Sequence, residues 1–309
     1  MTAPLRKIAL VGASGHLGPH LLQALQSDPS FNVTVITRQS SKAKFPPTTQ
    51  IVRVPDDYPR NELVAAFRNH DAVILSLNFQ ADKHHSALVE ASIEAGVKQL
   101  IPSIFGGRHT PEVQSIFPFA AGKAAMLAHV EKRAQEVEGW GYTAVCNGLF
   151  HELCVQTSFY GIDAKARTAT VWDDGKTKFS ASTYAGVSSA VLRVLREPEG
   201  NRNRTVYVSS FEVSLGELLD TYKSTVGAEG WSVEYKDAEE GIKEAKETSQ
   251  TTHDFMTRMR AIGRLALLSS VKRGAGADFV AEGLSDSERL GVEREDAKMV
   301  TRKVLEEVY

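Results

Sequence analysis

The fold is decided by residues 8–18, which read Ile8-Ala9-Leu10-Val11-Gly12-Ala13-Ser14-Gly15-His16-Leu17-Gly18. The first four residues are apolar, which is typical of a strand buried on both faces of a parallel sheet. Glycine then recurs at every third position, and leucines follow at helical spacing at Leu17, Leu21, Leu22 and Leu25. The sequence therefore predicts a strand, a glycine turn and a helix in direct succession.

That context turns a weak glycine pattern into a candidate dinucleotide site. Gly12 permits the tight turn, Gly15 lets the backbone approach a pyrophosphate, and Gly18 lets the helix pack closely on the strand. The amides and the dipole at the helix start attract phosphate. An ordinary turn that uses glycine for geometry alone is the alternative. The expected cofactor contacts in this loop are Gly12, Ser14, Gly15, His16, Leu17 and Gly18.

Composition excludes several classes of protein. The chain has 309 residues, of which 42% are hydrophobic and 24% charged, and its formal net charge is -2. Neither nucleic acid nor an anionic membrane is an expected partner, and no apolar run is long enough to span a bilayer. Residues 1–7 lack the apolar core of a secretory signal, and two cysteines do not make a disulfide scaffold. We expect a cytoplasmic protein that acts on a small molecule. The sequence is compatible with a homodimer as well as with a monomer.

The end of the second predicted strand, residues 31–37, indicates which dinucleotide binds. An acidic residue there would bind the 2′-hydroxyl of NAD, whereas an arginine suits the 2′-phosphate of NADP. Arg38 offers a planar fork for phosphate, and Lys42 or Lys44 would add charge. A solvated basic loop is the alternative interpretation. We expect NADP(H) as the cofactor.

Two further predicted strands, residues 71–77 and 99–104, end where a parallel sheet binds ligands. A helix is then predicted over residues 120–138, with Lys123 on the same inward face as Leu127. That lysine either acts on a ligand or packs its stem while the amine reaches water, and the pattern does not separate the two. The candidate cofactor contacts at the strand ends are Ser76, Leu77, Asn78, Ser103 and Phe105.

Three histidines are candidates for a ligand role. Adjacent helix positions diverge, so His84 and His85 are poor joint metal ligands and are expected to face the surface or a partner. His151 is followed by Glu152 but has no histidine at position 155, so the zinc-helix pattern is absent. His151 is either a polar group on the substrate side or a satisfied loop histidine. No metal site is predicted.

The predicted fold class is α/β, a Rossmann-type doubly wound parallel sheet with a smaller, irregular α+β region. Residues 1–153 form the NAD(P)-binding domain and residues 154–309 the substrate-binding region, with segments near 180–210 returning to the first. Residues 168–172 and 178–181 are predicted as strands around a turn at 173–175. Residues 205–209 form another strand, and residues 286–308 form a terminal helix.

Five segments in order resemble the isoflavone reductase-like, NmrA-like group of atypical short-chain dehydrogenases. They are residues 11–18, 37–38 and 102–106, Lys123, and residues 147–150. The resemblance covers the first half of the chain with recognisable motifs and the second half only in layout. It implies NADPH as the cofactor, Lys123 as the general acid/base, and Asn147 and Phe150 near the nicotinamide.

Three positions depart from the pattern of that group and its relatives. Ordinary short-chain dehydrogenases place a tyrosine four residues before the lysine, but Phe119 stands there and cannot donate a proton. The plant reductases often have glutamate at the position of Ile104 and a basic residue at that of Leu127. The substrate therefore need not resemble a plant phenolic.

The function expected from the sequence is an NADPH-dependent reductase of a small aromatic or heterocyclic, secondary-metabolite-like substrate. The nicotinamide supplies hydride and Lys123 the proton. Two alternatives stay open, because a fold does not fix a function. One is a redox-silent NADP-sensing regulatory protein of the NmrA type, and the other is a cyclase or rearrangement enzyme with structural NADP. Retention of Lys123 favours an enzyme.

Replacing Arg38 with alanine should remove most of the preference for NADPH over NADH. A lost charge-assisted phosphate contact costs about 1.5–3 kcal/mol of binding free energy. Titration of nicotinamide fluorescence with both cofactors measures the effect. Equal affinities in the wild type, or an unchanged preference in Arg38→Ala, would contradict the assignment.

Overall fold

The computed structural model describes residues 4–309, with their side chains except those of residues 79, 80 and 82. Residues 1–3 lie outside the described residues. They belong to the segment 1–7, in which no secretory signal was predicted. Within the described range, no helix combines the length and the apolar character needed to cross a membrane.

The quoted apolar run forms the first strand, and its residues 8–11 have no exposed surface. In chain order the strands are β1 (Lys7–Val11), β2 (Asn32–Arg38), β3 (Gln50–Val54), β4 (Ala72–Leu75), β5 (Gln99–Ile101), β6 (Gly141–Cys146), β7 (Leu149–Phe150), β8 (Ile162–Asp163), β9 (Thr168–Trp172), β10 (Lys178–Ser182), β11 (Arg204–Tyr207), β12 (Phe211–Ser214) and β13 (Ser232–Lys236).

Helices connect most of these strands, and a short 3-10 helix over Phe79–His84 precedes the third of them. In chain order the helices are α1 (Gly18–Ser27), α2 (Arg60–Phe67), α3 (His85–Glu94), α4 (Pro111–Ile116), α5 (Ala120–Glu136), α6 (His151–Gln156), α7 (Tyr184–Arg196), α8 (Pro198–Asn201), α9 (Leu215–Val226), α10 (Ala238–Thr251), α11 (Phe255–Val271) and α12 (Ala297–Val308).

The central sheet has the doubly wound parallel topology that was predicted. Seven strands of the described chain form it in the order β11-β6-β5-β4-β1-β2-β3, and all neighbours run parallel. The order reverses on either side of β1, and ligands of such sheets bind outside the carboxyl ends at that reversal. The glycine turn follows β1 at this point. The sheet therefore places residues 12–18 at the mouth of a ligand crevice.

Alternating side chains of β1 divide the core between the two faces of the sheet. Ile8 and Leu10 pack with the apolar faces of α1 and α7. Ala9 and Val11 pack with those of α2, α3 and α5. The helix α7 packs on the main sheet, and β11 is the seventh strand of that sheet. Residues 184–207 therefore pack together with the amino-terminal part of the chain.

A separate apolar cluster fills the carboxyl-terminal region, around Tyr160, Phe179 and Tyr222. Two three-stranded sheets flank it, in the orders β12-β10-β7 and β13-β9-β8. The strands β9 and β10 and the turn at 173–175 form as predicted, but the two strands belong to different sheets and do not pair with each other. The carboxylate of Asp173 accepts the Ala238 amide at 2.9 Å, and β9 pairs in parallel with β13.

The terminal helix is shorter than predicted, because residues 286–296 are not helical. The Asp286 carboxylate accepts the Tyr207 amide at 3.0 Å and the Arg204 guanidinium at 3.0 Å. These bonds tie the segment to the edge strand β11. These hydrogen bonds explain why residues 286–296 are not helical, although their composition would allow a helix.

His151 begins α6 and is fully buried, so it is neither a loop residue nor a substrate-facing group. Its Nδ1 lies 3.0 Å from the Tyr160 hydroxyl and its Nε2 lies 2.9 Å from the Thr301 hydroxyl. The bond to Thr301 joins α6 to α12, and the bond to Tyr160 holds the segment that follows α6. Burial lowers the pKa of His151 from 6.5 to about 3.

The contribution of His151 to stability should consequently rise with pH between about 3 and 6.5 and be constant above, because the unfolded chain binds a proton in this range that the folded His151 does not. Lowering the pH from about 7.5 to about 5 should cost roughly 2 kcal/mol through this group. Urea unfolding of the wild type and His151→Gln at both pH values measures the difference. An equal pH dependence in the two proteins would contradict this account.

Candidate functional site

The glycine turn is held against the neighbouring strand by contacts that exclude a side chain. Gly12 has φ +88°, and a Cβ there would lie 2.1 Å from the Ser76 carbonyl oxygen. A Cβ on Gly18 would lie 2.2 Å from the Gly12 carbonyl oxygen. A Cβ on Gly15 would meet nothing closer than 3.5 Å, because this residue faces the crevice. Two glycines therefore build the turn, and the third keeps its outer surface open.

The amino terminus of α1 lies at the same crevice, which Leu17 lines. Leu17 occupies the N-cap position and provides no side-chain cap, and a proline stands in the first turn. Helix starts normally carry a side-chain or ligand acceptor for their first amides. The backbone at Gly12–Gly18 therefore fits a diphosphate, which supplies acceptor oxygens and negative charge at the positive end of the dipole.

A cleft of about 1010 Å³ runs from this turn across the ends of β2 and β4. It brings together most of the side chains expected to contact a cofactor. Gly18 lies beneath the turn, and Lys42 and Asn147 are absent from the lining among the described residues. The expected residues that line the cleft are Gly12, Ser14, Gly15, His16, Leu17, Arg38, Ser76, Leu77, Asn78, Ser103, Phe105, Lys123 and Phe150.

The loop after β2 is shaped by residues of the next strand. The Arg53 guanidinium donates to the Arg38 carbonyl at 3.2 Å and to the Ser41 carbonyl at 3.0 Å. The Ser40 amide donates to Asp56 at 3.0 Å, and the Ser40 hydroxyl bonds its other carboxylate oxygen. These bonds to Ser40, with the Arg38 charge, lower the pKa of Asp56. Arg38 therefore lines the cleft beside the ionised carboxylate of Asp56.

Several lining residues were missed by sequence reasoning. Asp56 and Tyr58 follow β3, and Lys83 and His84 close the 3-10 helix after β4. The strand-end rule that selected residues 76–78 would have found Asp56 if applied to β3 as well. His84 stacks edge-on against Tyr58, with ring centroids 5.1 Å apart. It lines the cleft, so the expectation of a surface or partner-facing histidine is wrong for this position.

His85 is likewise not a surface residue, since only 4% of it is exposed. Burial, with added repulsion from Lys123 and His129, lowers the pKa of His85 to about 4. The two neighbouring histidines diverge around the helix start as expected. The described residues contain no group of three or more histidine, cysteine or acidic side chains able to hold a metal ion.

The ends of β4 and β5 are joined by the Ser103 side chain. Its hydroxyl accepts the Leu77 amide at 3.0 Å and donates to the Leu77 carbonyl at 2.8 Å. The Ser103 carbonyl in turn accepts a hydrogen bond from the Lys123 ammonium at 2.7 Å. The lysine therefore lies on the ligand edge of the sheet with its nitrogen held in place.

Lys123 stands where the cleft meets a second, mostly apolar cavity of about 400 Å³. Phe105, Phe150 and Leu153 also line both spaces. The far wall of the second cavity includes Ala266, Ser269 and Ser270 of α11. One space can thus hold an elongated cofactor and the other an apolar small molecule, with an ammonium group between them.

Asn147 lies under this junction and is fully buried. Its Oδ1 accepts the Gly106 amide at 2.9 Å, and its Nδ2 donates to the Gly148 carbonyl at 3.3 Å. The side chain therefore shapes the loop after β5 from below. Phe119, four residues before Lys123, is 48% exposed and leaves that position without a hydroxyl group.

Comparison with known proteins gives concordant matches. A model of the NmrA-like family matches residues 4–264. The oxidoreductase aprR of Aspergillus flavus is 32% identical over 301 residues, spanning 97% of this chain and 98% of that protein. A crystal structure of isoflavone reductase superposes with a TM-score of 0.74 at 20% identity, covering 97% of this chain and 99% of that one.

The NADPH complex of the quinone oxidoreductase QOR2 from Escherichia coli superposes with a TM-score of 0.70 at 19% identity, covering 96% of this chain and 99% of that one. At these identities the two superpositions establish the fold alone.

Gly15→Val should weaken NADPH binding by at least about tenfold while the protein stays folded. The nearest atoms to a Cβ at Gly15 are 3.5 Å away, so the branched side chain fits the fold but fills the crevice. Gly200→Val, at an open site in α8 outside the cleft, is the matched control. NADPH fluorescence titration with circular dichroism measures both. Native-like dichroism with unchanged binding would show that the loop is structural only.

Proposed function

The chain belongs to the NmrA-like family and is an oxidoreductase of the isoflavone reductase-like type, and we propose that it is an NADPH-dependent reductase of a small aromatic or heterocyclic substrate. The observation that carries the proposal is the position of Lys123. Its ammonium group lies at the junction of the glycine-turn cleft and the apolar cavity, held by the Ser103 carbonyl at 2.7 Å.

The cleft supports the cofactor part of the proposal. The Gly12–Gly18 backbone would hold the diphosphate, and Arg38 with Lys83 would face the 2′-phosphate of the adenosine ribose. An acidic residue near this position usually favours NAD, but both carboxylate oxygens of Asp56 accept hydrogen bonds from Ser40. Arg38 therefore provides the planar donor suited to a phosphate. The NADPH complex of QOR2, which shares the fold, agrees with this choice.

The walls of the junction would orient the nicotinamide. Phe105 and Phe150 line both spaces, so their rings can pack on its faces and limit water at the reacting carbon. Asn147 fixes the Gly106 amide from below and is assigned a supporting rather than a contacting role. Bound NADPH supplies a hydride to the substrate.

Lys123 is assigned the role of donating the proton that accompanies the hydride. Reduction by hydride leaves negative charge on the substrate, and an ammonium at the boundary of an apolar cavity both stabilises that charge and donates a proton. Phe119 occupies the position of the tyrosine that donates this proton in ordinary short-chain dehydrogenases. The Ser103 carbonyl accepts one N–H of the lysine and thereby sets the direction of the others.

Lys123→Met should lower the turnover number by roughly 10²–10⁴-fold and change NADPH affinity by less than about tenfold. Methionine keeps the stem of the side chain but removes the charge. The rate of NADPH oxidation at saturating cofactor, over imine, enone and benzylic-ether substrates, is the measurement. Lys132→Met is the matched control, because Lys132 lies on the same helix with 72% of its side chain exposed.

Near-normal turnover of Lys123→Met would refute the proton-donor role. No turnover by the wild type on the whole panel, with NADPH bound, would instead favour a redox-silent sensor or an enzyme with structural NADP. Weaker NADPH binding with unchanged turnover at saturating NADPH would identify Lys123 as a ribose contact only. These outcomes separate the assignment of the residue from that of the reaction.

A further inference from the structure

The apolar cavity beside Lys123 has two ends that differ in their surroundings. Lys123 lines both this cavity and the glycine-turn cleft, so this end faces the cofactor site. Elsewhere the cavity adjoins a space of about 20 Å³, which we call the inner pocket, and Gly148, Ser180, Ser270 and Phe279 are among its lining residues. No described residue lines both the cleft and the inner pocket. A molecule in the cavity can therefore meet the cofactor with one end and the inner pocket with the other.

The Ser270 hydroxyl lies at the inner end with its hydrogen-bonding capacity unused. A serine inside a helix usually donates to a carbonyl three or four residues earlier. The Ala266 carbonyl, four residues before Ser270, accepts the Ser269 hydroxyl at 2.7 Å instead. Among the described residues the Ser270 side chain has no hydrogen-bond partner, and its oxygen keeps accessible surface although the residue is only 8% exposed. Ser270 lines both the apolar cavity and the inner pocket, so its hydroxyl is available to a molecule there.

Hydrogen bonds hold the opposite wall of the inner pocket in place. The Ser180 amide donates to the Ala277 carbonyl at 2.8 Å, and the Ser180 hydroxyl accepts the Phe279 amide at 2.9 Å. The Arg108 guanidinium donates to the Gly276 carbonyl at 3.2 Å. These bonds fix residues 276–279 against β10 and against the loop after β5. The inner pocket therefore has a set size before any ligand enters.

The size of the inner pocket limits which polar group can occupy it. One buried water needs roughly 10–15 Å³ of such space, so a pocket of about 20 Å³ admits a single oxygen atom and excludes a carboxylate. No aspartate or glutamate lines the cavity or the inner pocket among the described residues. A hydroxyl group meets both conditions, because it is small and can accept from or donate to the hydroxyl of Ser270.

We propose that Ser270 binds a hydroxyl group at the end of the substrate remote from Lys123, and thereby selects apolar substrates with a reducible group at one end and a hydroxyl group at the other. The inference rests on the proposed function for the identity of the cavity as the substrate site. The hydroxyl oxygen of the substrate occupies the inner pocket. An analogue with a methyl group in its place leaves the Ser270 hydroxyl unpaired in a buried site, and it loses affinity for that reason.

A matched pair of ligands tests the proposal without turnover. The probes are 4-(4-hydroxymethylphenyl)but-3-en-2-one and 4-(4-ethylphenyl)but-3-en-2-one, in which a methyl group replaces the hydroxyl group. Both carry the same enone for the Lys123 end of the cavity. Calorimetric titration in the presence of NADP⁺, which carries no hydride, gives their dissociation constants. The measured quantity is the dissociation constant of the ethyl probe divided by that of the hydroxymethyl probe.

In Ser270→Ala this ratio should fall by about fivefold, the value of one typical hydrogen bond. Alanine is the best helix former, so α11 keeps its structure. Affinity for the ethyl probe and for NADPH should stay within about twofold of the wild type. Ser249→Ala is the matched control, because Ser249 lies on α10 outside these three spaces and donates to the Lys246 carbonyl at 2.8 Å. It should leave the ratio unchanged.

An equal ratio in the wild type and Ser270→Ala would overturn the role of Ser270, including the case in which both probes lose affinity equally. A wild type that binds neither probe would overturn it as well. Failure of the proposed function has a different signature. It would appear as absent NADPH binding, or as absent NADPH oxidation with both enones, whereas the ratio of dissociation constants reports on Ser270 without any hydride transfer.

Discussion

The contact between the glycine turn and the end of β4 is the constraint on which the site depends. With Gly12 at φ +88° and a Cβ position 2.1 Å from the Ser76 carbonyl, the turn can approach this strand only without side chains. That approach seats α1 over the order reversal of the sheet and opens the crevice between its strand ends. Arg38, Ser103 and Lys123 line the same cleft.

Much of this could be predicted from local patterns. The apolar runs of parallel strands, the glycine spacing and the strand-end rule locate Arg38, residues 76–78 and Lys123 because each signal is contained in a short window. The two strands around the turn at 173–175 were also predicted, but their pairing with other strands depends on distant contacts. The Asp173 carboxylate is satisfied by the Ala238 amide, a partner 65 residues away that no local pattern indicates.

The roles of the histidines were beyond sequence reasoning for the same physical cause. His85 and His151 both have pKa values lowered by burial, yet only packing distinguishes them. His151 has two hydrogen-bond partners and joins α6 to α12, while His85 packs at the start of α3. The role of a buried histidine therefore depends on the residues that surround it in the folded protein.

The central claim is that the nicotinamide of NADPH reaches the junction beside Lys123. A crystal structure of the protein with NADP⁺ tests this most directly. It should place the diphosphate on the Gly12–Gly18 backbone, the 2′-phosphate against Arg38, and the nicotinamide ring between Phe105 and Phe150, facing the apolar cavity. A bound cofactor whose nicotinamide lies outside this junction, away from the Lys123 ammonium, would contradict the account.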